Sequence, residues 1–197
     1  MIKKSSILII KVGILLKEFL RVNGMNSEEL ETILEQCFLS SLLEELVDYI
    51  KKNNIYSSFK LRLQNCYNQK EELYILKDLI GQFSDIILLE YQVSTILSYL
   101  KAYYEKSNTR YPLSIEKKLS ILNNQDNVCL ICKSNIDLDN SHFDHVIAFK
   151  WVGDELESNF QALCPTCNLE KGTNSFYHLK AYLIRPKRDK LNTTSNK

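Results

Sequence analysis

The sequence has almost no excess of positive charge. Its 197 residues include 25 lysines and arginines against 24 aspartates and glutamates, so the formal net charge is only +1. A protein that coats nucleic acid without specificity normally carries a strongly basic surface. The composition therefore argues against that class, and any contact with phosphate is expected to be local.

The chain also has no apolar run long enough to cross a membrane. A run begins at Ile7, but Lys11 interrupts it, and Lys17 and Glu18 follow. A membrane-spanning helix needs about 20 consecutive apolar residues, and no small-residue cleavage site of a signal peptide is evident. We therefore expect a cytoplasmic protein with no membrane partner.

Histidine is scarce, and the first half of the chain contains none: all three histidines lie after residue 141. Residues 1–106 instead carry apolar and aromatic side chains at helical spacing, which predicts five or six helices. With no histidine and no paired carboxylates at catalytic spacing, this half is predicted to be an all-α domain. We expect it to be regulatory, to dock a protein partner or to form a homodimer.

Local signals set the predicted boundaries of these helices. Ser41 with Glu44 three residues later is a capping-box pattern, which predicts that a separate helix begins there. Gly81 is predicted to end one helix ahead of a longer one. The predicted segments are residues 5–22, a helix from Asn26, a helix from Ser41 to the Asn53-Asn54 pair, residues 56–67, residues 70–80 and residues 83–105.

The chain changes character after residue 106. Residues 107–113 are polar and contain Pro112, which is typical of a linker. A short helix is predicted from Ser114, at the start of a second domain over residues 114–190. The remaining residues, 191–197, have the composition of a disordered tail.

Six cysteines in a chain of this length do not indicate a secreted disulfide framework. Four of them form two CxxC pairs, a spacing typical of a closed tetrahedral zinc site in a reducing compartment. Cys37 and Cys66 lie in apolar helical patterns and are predicted to be buried thiols. The predicted ligands of a structural Zn²⁺ are Cys129, Cys132, Cys164 and Cys167.

A second group of polar residues lies between and just after the cysteine pairs. It consists of Asp144-His145, Asn159 and Asn168. A closed four-cysteine site has no open position for these side chains. They indicate a separate site, at which a hard cation and a base could act on phosphate.

This stretch resembles the HNH endonuclease family. The third signature position is Asn168 instead of histidine, and Val152-Gly153 stands where a Gly-Gly pair is usual; neither departure removes a catalytic group. The resemblance implies a small zinc-stabilised ββα-metal domain after the helical one, in a mainly α chain. The matching pattern is Cys129-x-x-Cys132, Asp144-His145-Val146-Ile147, Gly153 and Asn159-Phe160-Gln161-Ala162-Leu163-Cys164-x-x-Cys167-Asn168-x-x-Lys171-Gly172.

The resemblance also implies a catalytic role for four residues. His145 would be the general base, and Asp144 and Asn168 would bind a catalytic Mg²⁺ or Mn²⁺. Asn159 would order the loop through backbone hydrogen bonds and so orient His145. Because adjacent strand residues point to opposite faces, Asp144 and His145 can share one site only if the strand predicted at residues 141–147 ends or bends there.

Several residues near this site have two interpretations. Lys171 could contact a substrate phosphate, or it could be an ordinary cation at a helix C-terminus. His142 could orient the substrate or assist the metal, or it could have a structural role. Arg110, Lys117 and Lys118 could touch phosphate or could form a solvated helix end.

The sequence thus predicts a metal-dependent HNH endonuclease that hydrolyses DNA, in anti-phage defence or restriction. A nuclease directed at RNA is one alternative. A catalytically inactive zinc module that binds nucleic acid or protein is the other.

Overall fold

The computed structural model describes residues 27–154, 156–174 and 176–184. The helix predicted at residues 5–22, the helix start predicted at Asn26 and the tail predicted at residues 191–197 lie outside the described residues. No helix of the described part is long and apolar enough to span a membrane.

The described residues form a mainly α fold, which confirms the predicted fold class. They contain eight helices and one two-stranded sheet, and a 3₁₀ turn at Glu157–Asn159 precedes the second strand. In chain order the elements are α1 (Ser27–Lys52), α2 (Tyr56–Gln64), α3 (Gln69–Phe83), α4 (Glu90–Glu105), α5 (Ile115–Asn124), β1 (His142–His145), α6 (Phe149–Val152), β2 (Phe160–Leu163), α7 (Pro165–Lys171) and α8 (Tyr177–Ile184).

Helix α1 is one continuous helix of 26 residues. The prediction that a separate helix begins at Ser41 is therefore wrong. The preceding Ser40 donates its hydroxyl to the Gln36 carbonyl at 2.8 Å, within the same helix. One apolar stripe runs past this position and is buried along its whole length. It comprises Leu30, Cys37, Phe38, Leu39, Leu42, Leu43, Leu46, Val47 and Ile50.

The junction of α3 and α4 also differs from the prediction. Helix α3 does not stop at Gly81, because the burial of Phe83 secures one more half-turn. The long helix predicted at residues 83–105 begins only at Glu90, and residues 84–89 are not helical. There the Gln92 side chain accepts a hydrogen bond from the backbone just before α4, at 3.0 Å, and so defines the helix start.

The helical part has a hydrophobic core that two residues from the second half complete. Ile147 and Val152 are 2% and 0% exposed and belong to the same buried cluster as the apolar faces of α1 to α4. The Trp151 ring, on α6, lies 6.4 Å from the Tyr103 ring of α4. Packing therefore crosses the boundary predicted near residue 106, and the independence of the two domains stays a prediction.

The second half contains the β-β-α order in its central part. Strand β1 pairs antiparallel with β2, with Asp144 opposite Gln161 and His145 opposite Phe160. Helix α7 begins directly after β2. A second core joins these elements to α5, and α8 returns to α1, where Tyr182 packs on Leu30.

Candidate active site

Two tight turns bring the four zinc-type cysteines together. In the first turn the Cys129 amide donates to the Ser134 carbonyl at 2.8 Å, and Lys133 has a positive φ of 61°. The second turn opens α7, where Pro165 fills the first helical position and the Cys164 sulfur accepts a hydrogen bond from a backbone amide in the same turn at 3.4 Å. Each CxxC pair is thus held by the backbone around it.

The geometry of the four sulfur atoms fits a zinc ion. All four Sγ atoms lie within 4.8 Å of one another, and those of Cys132 and Cys164 are 3.8 Å apart. A tetrahedral site with Zn–S bonds of about 2.3 Å requires sulfur atoms about 3.8 Å apart. The cluster can therefore hold one structural zinc ion through Cys129, Cys132, Cys164 and Cys167, as predicted.

Proton affinities in the cluster differ because its thiols differ in burial and hydrogen bonding. Burial raises the pKa of the Cys129 and Cys167 thiols. Burial also opposes ionisation of Cys132, but hydrogen bonds from Ser134 and the neighbouring thiols outweigh it and lower the pKa of Cys132 to about 7. A bound zinc ion would have to displace protons from the first two thiols.

The two remaining cysteines differ from each other. Cys37 is buried, as predicted, and burial raises its pKa to about 11. Cys66 follows α2, is half-buried rather than buried, and donates its thiol to the Arg62 carbonyl at 3.3 Å.

A cleft of about 440 Å³ lies beside β1. It is lined by Asp144, His145 and Asn168, which the sequence motif indicated, together with His142 and Asp154. Because β1 ends at His145, the two adjacent residues at its end both reach this cleft.

The His145 side chain is held by two rings and one carboxylate. Its ring lies 4.7 Å from the Phe160 ring and 5.6 Å from the Phe149 ring. Its Nε2 atom is 2.7 Å from Oδ1 of Asp154, and only 8% of the side chain is exposed. Rotation of the imidazole is therefore restricted, and one ring nitrogen has a fixed partner.

Oxygen donors suited to a hard cation face the cleft from β1 and α7. Asp144 supplies a carboxylate that is 22% exposed. The amide nitrogen of Asn168 is 3.0 Å from Nδ1 of His142, so the Asn168 carbonyl oxygen remains an available acceptor. A carboxylate and an amide oxygen are ligands that Mg²⁺ and Mn²⁺ accept, so these residues fit the predicted metal chemistry.

The cysteine cluster, the two strands and α7 lie in a segment that a known family describes. Residues 129–174 match the HNH endonuclease family model. The chain contains an HNH endonuclease domain. The helical part, α1 to α4, lies outside the matched residues. No curated protein and no solved structure matches the chain.

Asn159 supports the backbone of the HNH domain from behind the cleft. Its Oδ1 accepts a hydrogen bond from the Ile147 amide at 2.7 Å, and its side-chain amide donates to the Ile147 carbonyl at 2.9 Å. Its own carbonyl accepts from the Val146 amide at 2.8 Å. These three bonds fix the two residues that follow His145.

Lys171 is buried in the HNH domain instead of facing the cleft. It is 3% exposed, and its ammonium group donates to Asp144 Oδ2 at 2.7 Å and to the His145 carbonyl at 2.9 Å. A lysine that contacts substrate phosphate needs an exposed ammonium group. The arrangement favours a role in holding Asp144 over the phosphate contact considered from the sequence.

Asp154 is not among the site residues predicted from the sequence. Besides its contact with His145, this residue accepts a hydrogen bond through Oδ2 from the Tyr111 amide at 2.9 Å. It follows Gly153, whose φ of 62° turns the chain back toward the strand. The available sequence signal for an acidic partner of His145 was an acid directly after the loop glycine. Two more acids follow within three positions, and spacing alone does not show which of the three contacts His145.

Proposed function

We propose that the HNH domain hydrolyses phosphodiester bonds of DNA, in a reaction that requires Mg²⁺ or Mn²⁺, and that the protein acts in anti-phage defence or restriction. The observation that carries the proposal is the meeting of His145, Asp144 and Asn168 in one cleft. They supply a base and two oxygen ligands inside the segment that matches the HNH family.

His145 would act as the general base. With Nε2–H donating to the Asp154 carboxylate, the tautomer is set and Nδ1 is left as a proton acceptor. A water molecule at Nδ1 can then lose its proton to the ring as it attacks the phosphorus atom. The rings of Phe149 and Phe160 keep Nδ1 in one direction.

Asp144 and Asn168 would hold the divalent cation, with His142 orienting the Asn168 amide. The cation would supply positive charge to the attacked phosphate and to the departing oxygen. Lys171 neutralises one oxygen of Asp144 and fixes the direction of the carboxylate. Asn159 would act indirectly, by holding the backbone that follows the base.

DNA is the proposed substrate, and none of these steps requires a 2′-hydroxyl group. The same independence would allow RNA to be cut, and RNA is therefore one arm of the test. A zinc module that binds without cutting is the other outcome that the test distinguishes.

The test uses purified full-length protein with Mg²⁺ or Mn²⁺ against plasmid, linear duplex, single-stranded DNA and RNA. Wild type should cut DNA, and His145→Ala should lose about 10²–10⁴-fold in rate with zinc content and circular dichroism unchanged. Full activity in His145→Ala would remove this mechanism. Cleavage of RNA alone would identify an RNA nuclease, and binding without cleavage would identify a binding module.

The helical part is proposed to be a regulatory, partner-docking or dimerisation domain. It lies outside the HNH match, and its helices supply most of one large buried cluster. Sedimentation of the full-length protein tests self-association, and a concentration-independent monomer would contradict the homodimer. A fragment of residues 1–106 should melt cooperatively; if it does not, Ile147 and Val152 are required for folding and the two parts are one unit.

A further inference from the structure

A row of cations stacked on aromatic rings leaves the cleft and crosses onto the helical part. The Arg110 guanidinium, at the cleft wall, lies 4.8 Å from the Phe149 ring. The next residue along α6, Lys150, has its ammonium group 4.9 Å from the Trp151 ring. We call this row the basic ridge; its members are Arg110, Lys150, Lys106 and Lys51.

Three ammonium groups of the basic ridge gather around two rings. Lys106 lies 4.8 Å and Lys51 5.6 Å from the Tyr103 ring, and Lys51 is also 6.0 Å from the Trp151 ring. Lys51 and Lys150 are exposed, and neither forms an ion pair with a carboxylate in the described part of the chain. Ammonium groups that share two neighbouring rings repel one another, and the aromatic faces offset only part of that cost.

We propose that the basic ridge binds the phosphates of DNA flanking the scissile bond, so that the helical part shares in substrate binding. The inference rests on the proposed nuclease function. A chain of net charge +1 concentrates positive charge here, in continuity with the cleft, and a polyanion is the partner that relieves the repulsion.

The dimensions of the ridge suit a nucleic-acid backbone. Helix α6 has four residues, which is about 6 Å along its axis. Successive phosphates of one strand are about 3.4 Å apart when measured along the axis of duplex DNA. A strand in the cleft near Arg110 would therefore bring a phosphate to Lys150 within about two nucleotides, and Lys51 would meet the strand farther from the cut.

The test compares Lys51→Gln/Lys150→Gln with Lys77→Gln, a control that removes one charge from an exposed position on α3. All variants also carry His145→Ala, so that binding is measured without cleavage. Fluorescence anisotropy follows a labelled duplex of about two helical turns, between about 50 and 200 mM salt. Circular dichroism and zinc content verify the fold.

The double variant should bind about tenfold more weakly, and the slope of log K against log salt should fall by about 1.8, or about 0.9 for each lost phosphate contact. Each single glutamine variant should lower the slope by about 0.9. The Lys77→Gln control should match the parent, and Lys51→Arg/Lys150→Arg should restore binding because the charges return.

Two outcomes would overturn the proposal in distinguishable ways. If the double variant matches Lys77→Gln in affinity and salt slope while wild type cuts DNA, the ridge has no part in binding and the nuclease function stands. If wild type neither binds nor cuts DNA, the ridge proposal and the proposed function fail together.

Discussion

Nε2 of His145 lies 2.7 Å from Oδ1 of Asp154, with only 8% and 14% of the two side chains exposed. A buried carboxylate at this distance restricts rotation of the imidazole and gives one ring nitrogen a fixed partner. The other oxygen of Asp154 accepts from the Tyr111 amide. The segment that joins the two parts of the chain is therefore hydrogen-bonded to the residue that contacts His145.

Asp154→Asn should lower kcat by at least about 10–100-fold, because the imidazole loses the carboxylate that orients it. Asparagine keeps the size of the side chain but loses the charge. Affinity for DNA and zinc content should stay the same, and Asp154→Glu should recover part of kcat. Steady-state kinetics with a labelled duplex measure kcat and KM separately. A normal kcat in both Asp154→Asn and Asp154→Ala would show that His145 needs no such partner.

Asp144→Ala and Asn168→Ala should act through metal binding. Each removes an oxygen donor from the cleft, so the rate should reach half-maximum only at higher Mn²⁺, and excess Mn²⁺ should restore part of the activity. Asn168→Asp keeps an oxygen donor and should retain more activity than Asn168→Ala. His145→Ala is the contrasting variant, since added metal does not replace a proton acceptor. If Asp144→Ala and Asn168→Ala depend on the Mn²⁺ concentration in the same way as wild type and His145→Ala, these assignments are wrong.

The candidate site could largely be predicted from the sequence because its residues form a compact motif with fixed spacing. The cysteine pairs, Asp144-His145 and Asn168 lie within 39 positions of Cys129, counting to residue 168, and neighbouring elements bring them together. The contact of Asp154 with His145 could not be predicted, because it depends on the path of an irregular loop, which has no periodicity. The burial of Lys171 depends on how α7 packs on β1, and spacing along the chain does not specify this.

The helices were predicted better than their ends. At Ser41 the capping-box pattern was local, whereas the apolar stripe of α1 is buried against the whole helical core and keeps the helix continuous. Gly81 has a weak helix preference that the packing of Phe83 overrides. The packing of Val152 into the helical core was not predicted, because hydrophobic spacing assigns a residue to a face but does not identify its partner.

The zinc prediction concerns folding. Natively purified protein should contain one zinc per chain, and Cys129→Ser should lower solubility and Tm because the second core depends on the cluster. Since burial raises the pKa of Cys129 and Cys167, zinc must displace their protons, and its affinity should fall as the pH falls. Metal analysis and thermal melting with a chelator measure both effects. Protein without zinc that melts like wild type would contradict a structural role.

Lys171→Met tests whether this lysine holds Asp144 or contacts substrate. The variant leaves the Asp144 carboxylate without its partner at 2.7 Å, which should cost about 2–4 kcal/mol in the free energy of unfolding and lower Tm by about 5–10 °C. Lys180→Met removes a charge from an exposed position on α8 and should leave Tm unchanged. Thermal melts and steady-state kinetics of both variants separate the two roles.

The double variant Lys171→Met/Asp144→Asn sharpens this test. Because the two residues act as a pair, replacing both should destabilise the protein less than the sum of the single changes, and the difference is the coupling energy. A lysine that contacted phosphate would show no coupling with Asp144 in stability. An unchanged Tm in Lys171→Met, together with a raised KM for DNA, would return Lys171 to the role of a substrate contact.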